Sequence, residues 1–200
     1  MIGLARLHDR LIYQRRVRVL AALLARLAPQ DSNILDVGCG DGFIDRLIGE
    51  HRPDVTLHGV DVMLRRETHI PTTVFDGVAI PYEDNRFDVV MFVDVLHHTA
   101  DPEALLREAR RVARKAVLIK DHTRDGLMAG PTLRFMDWAG NASHGVALPY
   151  NYWNERQWRE SFERVGLTPS VWRNRFGLYP PGASWIFGRS LHFIARLDIV

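Results

Sequence analysis

Leu35-Asp36-Val37-Gly38-Cys39-Gly40-Asp41-Gly42 is the stretch that decides how this chain is read. The short apolar run Asn33 to Val37 closes on three alternating glycines, and a helical pattern from Phe43 to Glu50 begins at once. That is a strand, a tight turn and a helix. Glycine permits positive φ and lets a ligand approach the backbone, while the unpaired amides of the helix start face whatever is bound there.

Working outward, the same alternation recurs. Strands are expected at Val55 to Val60, Thr72 to Phe75, Phe87 to Val93 and Ala116 to Ile119. Phe87 to Val93 is nearly all apolar, as a strand buried on both faces should be. Asp101-Pro102-Glu103 opens a helix to about Ala113, with Asp as cap and Pro in the first turn. Before the turn, apolar residues recur at the helical period through residues 4–28, and Pro29 stops them. The bland reading is a helix docked on a sheet. After Lys120 the alternation breaks. Residues 122–153 read as an insertion rich in Gly, Pro and aromatics, with a helix near Thr132 to Trp138, of the kind that forms lids or binding loops. Asn154 to Val165 is helical, and Leu167 to Phe176 and Leu191 to Leu197 read as two final strands. The expected fold is therefore α/β, a doubly wound and mostly parallel seven-stranded sheet. One domain is expected over residues 1–200, with a core at about 33–121 and a C-terminal helix and hairpin at about 154–200. Ligands bind such sheets outside the carboxyl ends of the strands.

Composition narrows the function classes. A formal net charge of +2 over 200 residues gives no footprint for nucleic acid, and no basic stripe with interleaved aromatics is present. Arg15, Arg16 and Arg18 read as a solvated helix face. Cys39 is the only cysteine, so no internal disulfide and no Cys/His metal spacing exists, and a reducing cytoplasm is the expected home. No apolar run approaches the roughly 18 residues of a membrane span. No metal is expected, and a homodimer is compatible with the sequence.

The turn also discriminates among ligands. A dinucleotide fingerprint needs glycine where Phe43 stands, and a phosphate loop needs a Lys-Ser or Lys-Thr that is missing. Asp36 and Asp41 suit a ligand that is cationic and carries no phosphate. S-adenosylmethionine, with its ammonium and sulfonium, meets that demand. Asp61 ends the second strand, where an acidic side chain can accept ribose hydroxyls, with Val62 beside it. Asp76-Gly77 follows the third strand and Asp94 the fourth, and these residues, with Asp36 and Val62, are expected among the cofactor-binding set.

From Ile34 to Ile119 the chain resembles the class I S-adenosylmethionine-dependent methyltransferases. The likeness is carried by the Gly-rich turn, Gly59-Val60-Asp61, Ile80-Pro81-Tyr82 before Phe87-Asp88-Val89-Val90, and Asp94-Val95-Leu96-His97-His98. The resemblance implies that Gly38 and Gly40 line the methionine part, Asp61 the ribose, and Asp76 with Gly77 the adenine. Cys39 would contact through its backbone, and the two last strands would form an antiparallel hairpin. A small-molecule acceptor is expected, methylated at oxygen before nitrogen or carbon.

Methyl transfer needs alignment, and a base if the acceptor is a hydroxyl or amine. Candidate bases are His98 after the fourth strand, Asp121 and His122 after the fifth, and His144 in the insertion. Lys120 is expected to pair with Asp121 or Asp137. Phe135, Trp138, Tyr150, Tyr152 and Trp153 either wall an acceptor pocket or close the core. No Asn-Pro-Pro-Tyr run follows the fourth strand, which weighs against methylation of nucleic-acid bases. Two alternatives stand beside this reading: a cofactor-binding scaffold without turnover, and a nicotinamide oxidoreductase, which Phe43 argues against.

Overall fold

The computed structural model describes residues 2–141, 151–180, 188 and 190–199. In chain order the elements are α1 (Ile2–Leu27), β1 (Asn33–Val37), α2 (Phe43–His51), β2 (Thr56–Asp61), β3 (Thr72–Val74), β4 (Phe87–Val93), a 3-10 turn (Leu96–His98), α3 (Pro102–Val112), β5 (Ala113–His122), α4 (Ala129–Asn141), α5 (Glu155–Val165), β6 (Leu167–Arg173) and β7 (His192–Ile199). The seven strands form one sheet in the order β3-β2-β1-β4-β5-β7-β6. The first five are parallel, and β7 enters antiparallel between β5 and β6, which gives the expected C-terminal hairpin.

The pleat sorts the core into two layers. In β4, Val90 and Phe92 face α3 and α5 together with Leu106, Ala109, Trp158 and Phe162. Val89 and Met91 face the opposite side, where Ala21, Leu24, Ala25 and Ala28 of α1 pack with Ile48 of α2. The N-terminal helix is thus a structural layer. Asp101 caps α3 by accepting from the Ala104 amide at 3.0 Å, with Pro102 at the first turn. Asn154 and Gln157 form a reciprocal capping box on α5, which ends at Gly166 in the left-handed region.

Register positions the site. Val37 lies beside Val60 and Phe92, and Phe92 lies beside Ile119. Gly38, Asp61, Asp94 and Asp121 therefore emerge along one edge of the sheet. The chain winds from β1 to β3 on one side and returns to β4 on the other, so the switch point falls between β1 and β4.

Several boundaries differ from the sequence reading. β5 runs from Ala113 to His122, not Ala116 to Ile119, because β4 pairs with it from Ala113 and β7 pairs with it through His122. Lys120, Asp121 and His122 are thus buried strand residues whose polar character disguised them. α4 extends beyond Thr132–Trp138 at both ends, and β6 stops at Arg173, short of Phe176. The 3-10 turn carried no sequence signal. No helix among the described residues is long and apolar enough to cross a membrane.

Candidate active site

The three turn glycines all have positive φ: +78° at Gly38, +61° at Gly40 and +72° at Gly42. A side chain at Gly38 would meet Val95 at 2.5 Å, and one at Gly42 would meet Ile70 at 2.6 Å. A side chain at Gly40 would meet nothing within 4 Å, because Gly40 faces open space. That space is a cavity of about 580 Å³ at the switch point, within the usual size of a small-molecule site. Its lining includes Gly38, Gly40, Asp61, Val62, Gly77, Asp94, His98 and Thr99.

Asp61 is locked from both sides. One oxygen accepts from the Gly40 amide and the other from the Met63 amide, each at 2.9 Å. Its carboxylate is held at the cavity wall, where the remaining lone pairs can accept hydroxyl protons. The wall carries the Asp61 and Asp94 carboxylates, bare backbone at the glycines, apolar Phe75 and Leu105, and one cation, Arg65. The carboxylates fit the cationic S-adenosylmethionine.

The other turn residues do different work. The Cys39 thiol tucks against Gly59, away from the cavity, and lies 3.7 Å from the Thr72 hydroxyl. Burial, then Asp36, pushes its pKa up to about 12. Cys39 is a protonated packing group. Asp36 is buried behind the turn, facing Asp45 of α2, and is not on the cavity wall. Asp76 lies on the rim, where its Oδ1 accepts the Val78 and Ala79 amides at 2.8 Å each. Those amides hold its pKa down. Gly77, and not the Asp76 side chain, reaches the wall.

On the cavity wall after β4, Asp94 takes a left-handed φ of +59°. Its carboxylate receives Lys120 Nζ on one oxygen and Arg16 Nη2 on the other. Burial would push Asp94 up, but Lys120 and then Arg16 outweigh it and hold it well below the usual carboxylate range. The pairing of Lys120 with Asp94 corrects the expectation that it would pair with Asp121 or Asp137. Burial lowers Lys120 to about 8, and its ammonium also lies 3.3 Å from His192 Nδ1.

Behind Asp94 stands a second polar layer. Asp121 Oδ1 meets His97 Nδ1 at 2.6 Å and the His122 amide at 2.7 Å, and Oδ2 accepts the Leu96 amide at 3.0 Å. Asp121 thereby ties β5 to the 3-10 turn that presents His98 to the cavity. It is fully buried, so it is a positioning residue and does not reach an acceptor. His122 is buried too, and burial followed by Lys120 pushes its pKa down to about 4. Donor atoms of His97, Asp121 and His122 all lie within 4.8 Å of one another, a spacing that could hold a metal. The three bonds that Asp121 already accepts, and the Lys120 ammonium beside them, make this a hydrogen-bonded layer.

His144 and Tyr150 lie outside the described residues. Tyr152 and Trp153 close the core. Tyr152 donates to the Leu133 carbonyl at 3.2 Å and stacks on His97, while Trp153 packs on Trp158. Phe135 and Trp138 are exposed on α4. Sequence reasoning missed Arg16, Lys120 and His192 as a set. Lys120 did carry a signal: it is one of only two lysines in an arginine-rich chain and closes an apolar strand. Arg16 sat in a cluster read as a solvated face, and nothing local separated it from Arg15.

Comparison with known proteins bears on this geometry. The sequence profile described as a methyltransferase domain matches residues 11–170. Norajmaline N-methyltransferase of Rauvolfia serpentina is 30% identical over 93 residues, covering 40% of this chain and 32% of that protein. The tRNA (carboxymethyluridine(34)-5-O)-methyltransferase of Schizosaccharomyces pombe is 28% identical over 93 residues, covering 44% and 39%. The chain thus spans well under half the length of these curated relatives. Among solved structures, one from the complex between the Haloferax volcanii Trm112 methyltransferase activator and a methyltransferase superposes with a TM-score of 0.71 at 16% identity. That match covers 98% of this chain and 94% of the other; it speaks to the fold alone. With the family profile running from α1 into β6 across every strand that borders the cavity, this chain belongs to the methyltransferase-domain family.

Proposed function

We propose that this chain is a cytoplasmic enzyme that transfers a methyl group from S-adenosylmethionine to the oxygen of a small-molecule acceptor, with His98 as the base. The observation that carries the reading is one continuous cavity lined both by Gly38, Gly40, Asp61, Val62 and Gly77 and by Asp94, His98 and Thr99. When bound, the cofactor supplies an electrophilic methyl carbon and leaves as a neutral thioether. The acceptor oxygen would take that methyl group with the thioether as leaving group, and the His98 imidazole would receive the acceptor proton. Asp94, kept ionised by Lys120 and Arg16, orients the acceptor hydroxyl and is too weakly basic to take the proton. His122 and Asp121 act through the placement of His98.

Methyl transfer is tested by incubating the protein with trideuteromethyl S-adenosylmethionine and separate pools of phenols, carboxylates, amines and tRNA. Label appearing in an oxygen-bearing small molecule supports the reading. Label confined to tRNA, the acceptor named for the Schizosaccharomyces pombe relative, overturns the acceptor class. Cofactor binding with no transfer to any pool favours a scaffold role. His98→Asn is expected to lower kcat on the labelled acceptor by about 100-fold with little change in affinity for S-adenosylhomocysteine.

A further inference from the structure

Two cations converge on one carboxylate at the cavity wall. Arg16 Nη2 of α1 takes one oxygen of Asp94, and Lys120 Nζ of β5 takes the other. Among the described residues, neither cation has a second carboxylate within ion-pair distance. The next acid along β5, Asp121, spends its oxygens on the His97 ring and on the His122 and Leu96 amides. Asp94 thus directly answers one of two positive charges, and a charge held out of water without a counter-ion is costly.

The two cations differ in what they have left to give. Lys120 is fully buried, and its ammonium is directed at Asp94 and at His192 Nδ1. Arg16 can be reached. Its side chain is 30% exposed, and the bond to Asp94 engages one nitrogen of a planar group that carries several N–H donors. The surroundings are aromatic. Tyr13 stands one turn before Arg16 on the same helix face and is exposed. The Tyr179 ring lies 5.7 Å from that of His192. Arg15 Nη2 donates to the Gly177 carbonyl at 3.3 Å, which pins residues 177–179 to α1.

We propose that Arg16 selects the methyl acceptor by pairing with a carboxylate on it, so that the acceptor is a hydroxy acid held by Arg16 at its acid group and by Asp94 at its hydroxyl. The inference rests on the oxygen-methylation reading above. Arg16 touches Asp94 and Asp94 lines the cavity, so one small acceptor spans both groups. A guanidinium edge matches the two coplanar oxygens of a carboxylate. Charge narrows the choice further. A surplus of one positive charge is balanced by a monoanion, whereas a phosphate dianion brings a second negative charge against Asp94. An uncharged acceptor leaves the spare edge of Arg16 unmatched and gains nothing there.

The test uses a panel of aromatic and aliphatic hydroxy acids, each beside its neutral amide, as acceptors for trideuteromethyl S-adenosylmethionine. Wild type is expected to methylate the acid of a pair with a kcat/KM about 10- to 100-fold above that of its amide, the difference lying in KM. Arg16→Gln should erase that preference by weakening the acid alone. Arg16→Lys, which keeps the charge without the planar edge, should retain part of it. Equal losses on acid and amide in Arg16→Gln assign the residue to structure and overturn the inference. A matching fall in affinity for S-adenosylhomocysteine, read by calorimetry, also overturns it, because that ligand carries its own carboxylate and Arg16 would then hold the cofactor. Wild type alone provides a readout that does not depend on the variants' folding. Amides methylated as well as their acids, or in place of them, overturn the inference and leave the methyl-transfer reading standing. Label passing to neither set overturns the inference, and absence of label from every pool of the wider assay overturns the oxygen-methylation reading as well.

Discussion

Replacing Asp45 by Asn is expected to stabilise the cofactor-free protein at alkaline pH and to have little effect at acid pH. The ordinary value for this carboxyl is 3.8, and burial raises it to about 7 in the folded chain. Between those values the folded protein holds a proton that the unfolded chain has lost. Stability therefore falls as pH rises through that window and levels off above it. Each pKa unit corresponds to about 1.36 kcal/mol, so about three units give an upper bound of about 4 kcal/mol at pH 8. Asn keeps the shape, donates an N–H toward Asp36 and carries no charge, so the variant lacks this slope. His122 and His192 add a slope of opposite sign, because burial, then Lys120, keeps both neutral in the folded state. That slope is common to both proteins and cancels in their difference. Thermal unfolding at pH 4.5 and pH 8 measures the effect. The variant should match wild type at pH 4.5 and exceed it by about 2–4 kcal/mol at pH 8, a rise in Tm on the order of 5–10 °C. Parallel pH profiles, or a wild type more stable at pH 8, would refute the reasoning that the pair is buried without a compensating cation.

Three further outcomes follow from the same geometry. Gly38→Ala combines a φ of +78° with a methyl 2.5 Å from Val95; it should cost about 2 kcal/mol or more in chemical denaturation and abolish detectable cofactor binding. Lys120→Met leaves Asp94 with Arg16 as its remaining ion-pair partner, and removing one member of a buried pair costs about 3–5 kcal/mol, read as a lower urea midpoint with unchanged m. Trp158→Ala empties the layer between α5 and the sheet and is expected to cost about 3–5 kcal/mol, with loss of the near-ultraviolet signal of the cluster that Trp158 makes with Trp153 and Phe193.

Local patterning carried the sheet well. The apolar runs at Asn33 to Val37 and Phe87 to Val93 are strands because nothing but backbone pairing could bury them, and the structure keeps both at those bounds. β5 was legible only at its apolar centre. Its polar end is buried through pairing with β7, some seventy residues away in sequence, and no local pattern reports such a contact. The same reason hid Arg16, whose partner Asp94 lies on another element. The cavity-lining glycines and Asp61 were legible because their chemistry is local: a turn that needs positive φ and an acid at a strand end. Asp36 and Asp76 had the right position in sequence, yet their carboxylates turn toward Asp45 and toward the Val78 and Ala79 amides. Side-chain direction at a strand end depends on which donors happen to be near, and spacing does not encode it.

The most direct test of the central claim is calorimetric titration of S-adenosylmethionine into wild type and Asp61→Ala. The variant removes the carboxylate that the Gly40 and Met63 amides lock against the cavity. Loss of a charged hydrogen-bonding partner is worth about 1.5–3 kcal/mol, so affinity should fall by about 10- to 100-fold while the far-ultraviolet spectrum stays unchanged. Undiminished binding by Asp61→Ala, or no binding by the intact protein, would contradict it.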